Sequence, residues 1–153
     1  YEYAILILKK FLEEPDGWIE NKLNSCLVLS CCYQAMGENA AAFDILFYSF
    51  TMDVPRAEIC CEIGRLFMEK REYVTAAYWY QQALLAPRKK KNGGFYIADS
   101  HDFIPAIQMC VCLDKAGRHR EAFEFHKKAR VLKPLHQAVI GNEKYFRDVW
   151  GME

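Results

Sequence analysis

A chain of 153 residues with 20 Lys plus Arg against 20 Asp plus Glu carries no formal net charge, so it offers no long-range field to a phosphate backbone or an anionic lipid surface. Hydrophobic residues make up 52%, enough for the core of one domain. No apolar run approaches the ~18 residues of a membrane span, and no signal-peptide pattern opens the chain. Nucleic acid and membrane are therefore set aside as partners.

The first predicted helix spans 2–14 and ends at Pro15, with Ala4 as its small residue; its apolar run Tyr3 to Leu8 meets Lys9 and Lys10 at once. The chain opens at Tyr1 rather than at a Met, which reads as a part cut from a longer protein. Further helices are predicted over 18–36 and 39–52, over 56–70 and 73–86, over 101–116 and 119–132, and over 136–149. No strand is required.

Alanine supplies the frame that joins these helices. Ala42 and Ala76 are 34 residues apart (76 − 42), the period of the tetratricopeptide repeat at about 34 residues. Ala76 and Ala122 are 46 apart (122 − 76), the same period with 12 residues inserted. Around Ala76, Gly64 and Phe67 fall in the first helix of a pair, Tyr73, Tyr80 and Ala83 in the second, and Pro87 closes it. Gly64 permits close approach of two backbones, Ala76 and Ala83 do so from the other side, and the rings fill the space around them. Pro87 stops the helix because it lacks an N–H and crowds the preceding turn.

The pair around Ala42 uses Tyr33, Gly37 and Pro55; the pair around Ala122 uses Leu113, Gly117, Ala129 and Pro134. There Cys110 stands in the place of Gly64, and His119 and His126 in the places of Tyr73 and Tyr80. The reading is all-α, a right-handed solenoid of tetratricopeptide helical hairpins in a single domain over 1–153. It holds a half repeat at 2–15, repeats at about 23–55, 57–87 and 103–134, an insertion at 88–102 and a terminal helix at about 136–149. That helix carries Ala138, Val139, Tyr145, Phe146, Val149 and Trp150, too many apolar residues for a solvated cap, so at least one face should be covered.

The insertion begins with the basic run Arg88 to Lys91, passes through Asn92-Gly93-Gly94 and continues as Phe95-Tyr96-Ile97. It reads either as a solvated linker with a basic tip or, because of its rings, as a binding loop on one face of the solenoid.

No catalytic constellation survives inspection. Asp99-Ser100-His101-Asp102 holds the residue types of a triad, but adjacent residues do not assemble one; Asp102 is better placed to cap the helix that Phe103 opens. Asn92-Gly93-Gly94 lacks the spacing and the preceding strand of a phosphate loop. The seven cysteines, Cys26, Cys31, Cys32, Cys60, Cys61, Cys110 and Cys112, are odd in number, form no C-x2-C knuckle, and sit in apolar helical stretches. They read as core residues of a protein in a reducing cytoplasm rather than as disulfides or metal ligands. The four histidines show no metal spacing. No cofactor, metal or catalytic residue is expected, and the chain reads as a non-enzyme.

In this fold the first helix of each pair lines the concave surface. Its outward positions are Leu27 and Cys31, Cys61 and Arg65, and Ile107 and Val111, a mainly apolar face without the Lys and Asn that grip a peptide carboxylate in co-chaperone grooves. An apolar face of this kind is normally covered, here by the terminal helix, a second copy or an adjoining domain. Phe95, Tyr96 and Trp150 complete the candidate interaction surface, and the expected partner is a protein or peptide.

Residues 55–64 (PRAEICCEIG), residues 78–84 (YWYQQAL), residues 104–117 (IPAIQMCVCLDKAG) and residues 142–146 (NEKYF) together resemble the C-terminal repeat region of bacterial family 2 glycosyltransferases, including the relatives that glycosylate peptide cysteines. The resemblance covers roughly residues 40 to 147. It implies a GT-A catalytic domain ahead of the repeats, using a nucleotide sugar and a divalent metal, with the repeats holding two copies together or positioning substrate. The chain itself has no Asp-x-Asp motif, so no catalytic residue carries over. The other reading is a free-standing adaptor that takes a peptide or helix in its groove.

Overall fold

The computed structural model describes residues 1–88 and 96–153. Among the described residues there are eight α-helices and no strand. They are α1 (Glu2–Glu13), α2 (Ile19–Ala35), α3 (Asn39–Tyr48), α4 (Ala57–Glu69), α5 (Tyr73–Leu85), α6 (Phe103–Lys115), α7 (His119–Leu132) and α8 (Gln137–Trp150). The helices α2 and α3, α4 and α5, and α6 and α7 form three hairpins, α1 packs on α2, α5 on α6 and α8 on α7. Phe95 and the run Lys89 to Gly94 lie outside the described residues.

The three hairpin turns share one geometry. Gly37 (φ 78°), Arg71 (φ 60°) and Gly117 (φ 80°) occupy the left-handed region, 34 and 46 residues apart like the alanines. The next residue closes each helix: the N–H of Glu38 donates to Tyr33 O at 2.8 Å, that of Glu72 to Phe67 O at 2.9 Å, and that of Arg118 to Leu113 O at 2.8 Å. These bonds satisfy carbonyls that the end of an α-helix leaves open.

Two boundaries differ from the sequence expectation. α3 stops at Tyr48 and a 3₁₀ turn follows at Ser49–Thr51. There Ser49 Oγ donates to Leu46 O (2.6 Å) and Thr51 Oγ1 to Tyr48 O (2.8 Å), so hydroxyls compete for the carbonyls that a continuing helix would use. α6 starts at Phe103 after a 3₁₀ turn at Ala98–His101. Asp102 is its cap, accepting from the Phe103 N–H at 2.5 Å.

Packing follows the small-residue frame. Ala42, Ala76, Ala83, Ala122 and Ala129 are fully buried. A Cβ on Gly64 would lie 2.9 Å from the Tyr80 ring, so the ring sits on the bare backbone. The equivalent pairs in the neighbouring hairpins are Ser30 with Leu46 and Cys110 with His126, all buried. Residue size is traded within each pair: the largest second-helix side chain faces the absent one. At the other end of the hairpins the buried Arg56 guanidinium bridges Glu20 (2.6 Å) and Asp53 (2.7 Å), tying the first turn of α2 to the entry of α4.

Candidate functional site

The face presented by α2, α4 and α6 is not uniformly apolar. Leu27 is half-buried between α2 and α4, Cys31 is exposed, and Val111 is half-buried. Arg65 stands between α2 and α4 as the centre of a charged network. It donates to Glu62 (2.6 Å), to Glu69 and to the side-chain oxygen of Gln34, while the Gln34 amide donates to Glu62 (3.0 Å) and Ser30 (3.1 Å). Burial alone would raise the Glu62 pKa, but bonds from Arg65 and Gln34 outweigh it and hold the carboxyl below its usual range. Arg65 is pushed up, chiefly by its bond to Glu62. The Cys31 thiol is raised by burial and then by the neighbouring Glu62 charge. The geometry is a half-exposed guanidinium held by Glu62, Glu69 and Gln34, with the Cys31 thiol nearby. Its bonds to Glu62, Glu69 and Gln34 occupy most of its donors, and what stays exposed can donate to a partner's carbonyl.

Two candidates prove to be buried. Cys61 is 8% exposed, and its Sγ–H donates to Ser100 O at 3.4 Å. Ile107 is 6% exposed in a cluster with Phe103, Ala106, Ala129 and Val139. Different pieces of the chain cover them: the return of the insertion covers Cys61, and α8 covers Ile107. Neither offers a surface to a partner, and this coverage meets part of the need for an occupant.

The return of the insertion is tightly held. The Ile97 N–H donates to Glu58 Oε1 at 2.8 Å, and His101 Nε2 lies 3.6 Å from the same oxygen. Glu58 and His101 are 6% and 4% exposed. Tyr96 stacks on the His101 ring with centroids 4.7 Å apart, and Arg88 donates to His101 O (3.3 Å) and Asp102 (3.1 Å). Tyr96 is therefore half-buried, with one ring face committed to His101.

Trp150 also has an internal role. Its ring stacks on His119 at 3.8 Å, and its indole N–H donates to Tyr145 Oη (3.2 Å). Tyr145 donates to Asp114 (2.9 Å), whose other oxygen lies 2.7 Å from His119 Nδ1. This chain of contacts fastens the end of α8 to the α6–α7 turn. Beside it a cavity of about 200 Å³ opens between α6 and α8, lined by Cys110, Val111, Asp114, Asn142, Tyr145 and Phe146.

Sequence reasoning did not pick out Gln34, Glu62, Glu58 or His101. Glu62, Arg65 and Glu69 carried a signal in their i, i+3 and i+4 spacing on one helix face. Glu58 and His101 carried none, because 43 residues separate them. The buried thiols offer no reactive chemistry. Burial pushes Cys26 up to about 11, and Cys60, Cys110 and Cys112 up to about 12, so they stay protonated at neutral pH. Among the described residues no group of three or more His, Cys, Asp or Glu side chains is placed to hold a metal. No described helix is long and apolar enough to cross a membrane.

Comparison with solved structures finds the same arrangement in the crystal structure of MamA, at 22% sequence identity and a TM-score of 0.66, over 94% of this chain and 78% of that one. The likeness establishes the fold as a tetratricopeptide-type helical solenoid. No protein-family model matches the sequence, and no curated protein matches it.

Proposed function

We propose that this chain is a non-catalytic protein-interaction module that takes a partner peptide or helix against the face formed by Leu27, Cys31, Arg65 and Val111. The observation that supports this most is Arg65. A half-exposed guanidinium held by Glu62, Glu69 and Gln34 is organised before any partner arrives, which lowers the entropy cost of binding. The half-buried Leu27 and Val111 supply apolar area.

The test is a peptide library screened on the purified chain, with affinities of the selected peptides measured by fluorescence anisotropy. Arg65→Glu should weaken binding at least about tenfold, the size of one hydrogen bond to a charged group, and Val111→Glu should weaken it at least about tenfold by placing a charge in an apolar contact, while Val74→Glu on the exposed side of α5 should not. Equal affinity in all three variants would overturn the assignment of this face. Ile107→Glu is not a suitable probe, because Ile107 is buried and the change would measure stability.

A finer reading is that the module serves as the dimerisation or substrate-positioning region of a family 2 glycosyltransferase in the cytoplasm. Its support is the resemblance of residues 55–64, 78–84 and 104–117 to such repeat regions. Under this reading the coding sequence adjoining the chain specifies a GT-A domain, and light scattering over a dilution series gives a dimer. An adjoining sequence without such a domain, together with a monomer, removes this reading and leaves the adaptor.

A further inference from the structure

The two ends of the solenoid are built differently. α8 keeps the register of a first helix: its cap His136 follows Asp102 by 34 residues (136 − 102), and Gly151 follows Gly117 by 34 (151 − 117), both at positive φ. Its Lys144 stands at the position of Ser30, Gly64 and Cys110, the one through which Gly64 meets Tyr80 of its second helix. Lys144 and Arg147 are exposed there, and Lys144 pairs with Asp148 at 2.7 Å. A polar outer face of this kind closes a solenoid.

α1 keeps the register of a second helix but has no such closure. Ala4 precedes Ala42 by 38 residues (42 − 4), the repeat of 34 plus the four by which α2, at 17 residues, exceeds α4 and α6 at 13. In the three hairpins Ala42, Ala76 and Ala122, with Leu46, Tyr80 and His126 four residues on, are buried to 2% or less. On α1 the same positions are Ala4 and Leu8, and both are only half-buried. Ile7 shows the difference most clearly. Its counterparts Ile45, Trp79 and Phe125 pack on clusters that contain first-helix residues, whereas Ile7 is 46% exposed. An apolar stripe at helical spacing is normally covered. The three hairpins show the cover at the equivalent place: an antiparallel helix that sets a small residue against the large one.

We propose that a further helix of the same polypeptide, ahead of Tyr1, docks on Ala4, Ile7 and Leu8 and completes a fourth hairpin with α1. A second copy has no such helix to offer, because α2, α4 and α6 are covered by their own second helices and α8 presents Lys144. The hairpins fix the register of the occupant. The small residue of the first helix precedes the alanine by 12 in each (42 − 30, 76 − 64, 122 − 110), and the residue at positive φ precedes it by 5 (42 − 37, 76 − 71, 122 − 117). Counted back from Ala4, these are the ninth and the second residues ahead of Tyr1.

The test joins the coding sequence ahead of Tyr1 to a comparison of two chains. The sequence should specify an amphipathic helix with Gly, Ala, Ser or Cys at the ninth residue ahead. A chain begun about 20 residues earlier, roughly half a repeat, is then compared with the chain from Tyr1. Ile7→Glu should lower the thermal unfolding midpoint of the longer chain by at least about 4 °C, as a charge placed in an apolar contact. In the chain from Tyr1 the same change should cost less than about 2 °C, like Val74→Glu on the exposed side of α5 in either chain. Hydrogen exchange in α1 should slow at least about tenfold in the longer chain, a readout that needs no substitution.

A bulky residue at the ninth position or a proline inside the helix would overturn the register. Equal small shifts in both chains, with α1 exchanging at one rate, would overturn the docking itself. A chain from Tyr1 that is a dimer by light scattering and a monomer after Ile7→Glu would give the stripe to a second copy instead. Each of these failures leaves the Arg65 face intact, since that face is read by peptide binding and lies on other helices.

Discussion

At the scale of single residues, the hairpins are governed by volume in a confined space. Gly64 has no side chain because Tyr80 occupies the room where a Cβ would lie. Gly64→Ala should destabilise by a net ~1–2 kcal/mol, the overpacking cost of about 1–3 exceeding the gain in helix propensity of up to about 1. The equivalent pairs, Ser30 with Leu46 and Cys110 with His126, suggest the remedy. Gly64→Ser combined with Tyr80→Leu should be less damaging than the sum of the two single changes, by about 0.5–3 kcal/mol in a double-mutant cycle from urea unfolding; strict additivity would mean that the two residues do not share a space. His126 adds a pH dependence. It is fully buried, with neither ring nitrogen hydrogen-bonded. Its pKa falls below the ordinary 6.5 through burial first and the Arg130 charge second, against a smaller opposing effect of Glu143. The unfolded chain therefore takes up a proton near pH 6.5 that the folded chain resists. The contribution is complete above that pH and is lost as pH falls from 6.5 toward the depressed value. Unfolding curves at a series of pH values should show this loss, and His126→Phe should flatten it.

At the scale of the element, each hairpin turn needs one residue at positive φ. Two turns have Gly37 and Gly117, but the middle one has Arg71 at φ 60°. A side chain there costs free energy by crowding Cβ against the following carbonyl. Arg71→Gly should raise stability by about 0.5–1 kcal/mol, after allowing for the greater freedom of glycine in the unfolded chain. A fall in the unfolding midpoint would show that the Arg71 side chain makes a contact worth more than the strain. The 3₁₀ turn after α3 has the same local origin, since Ser49 and Thr51 turn their hydroxyls onto helix carbonyls.

At the scale of the whole molecule, a solenoid is stabilised by each unit covering its neighbour. α8 ends the stack by burying Val139 against Phe103, Ile107 and Ala129, and Phe146 in the central cluster that reaches Tyr80 and Cys110. Phe146→Ala should cost about 3–5 kcal/mol. Because the interface is local, hydrogen exchange should rise first in α6 and α7 and last in α2 and α3. A uniform rise throughout would indicate full cooperativity between repeats. The α8 ending, with Trp150 on His119 and Tyr145 on Asp114, also fastens the terminal helix through aromatic residues that stay partly exposed.

Much of the fold was legible in the linear pattern, and the reason is the repeat. A requirement for small residues at fixed intervals leaves Ala42, Ala76 and Ala122 in register whatever else changes, and it carried the helix order, the hairpin pairing and the burial of α8 on one face. Asp102 was legible as a cap because capping is local. The site was less so. Cys31 and Arg65 are left partly or fully exposed while Leu27 and Val111 are half-buried, because spacing along a helix says nothing about what lies over it. Cys61 and Ile107 have the same periodic position as their neighbours and are covered by segments distant in sequence. The sequence by itself determined the repeat and the direction in which each side chain leaves its helix, because both depend on near neighbours. Only the tertiary structure decided which of those side chains meet solvent, since 96–101 folding back on α4 and α8 closing on α6 are contacts between residues far apart in the chain.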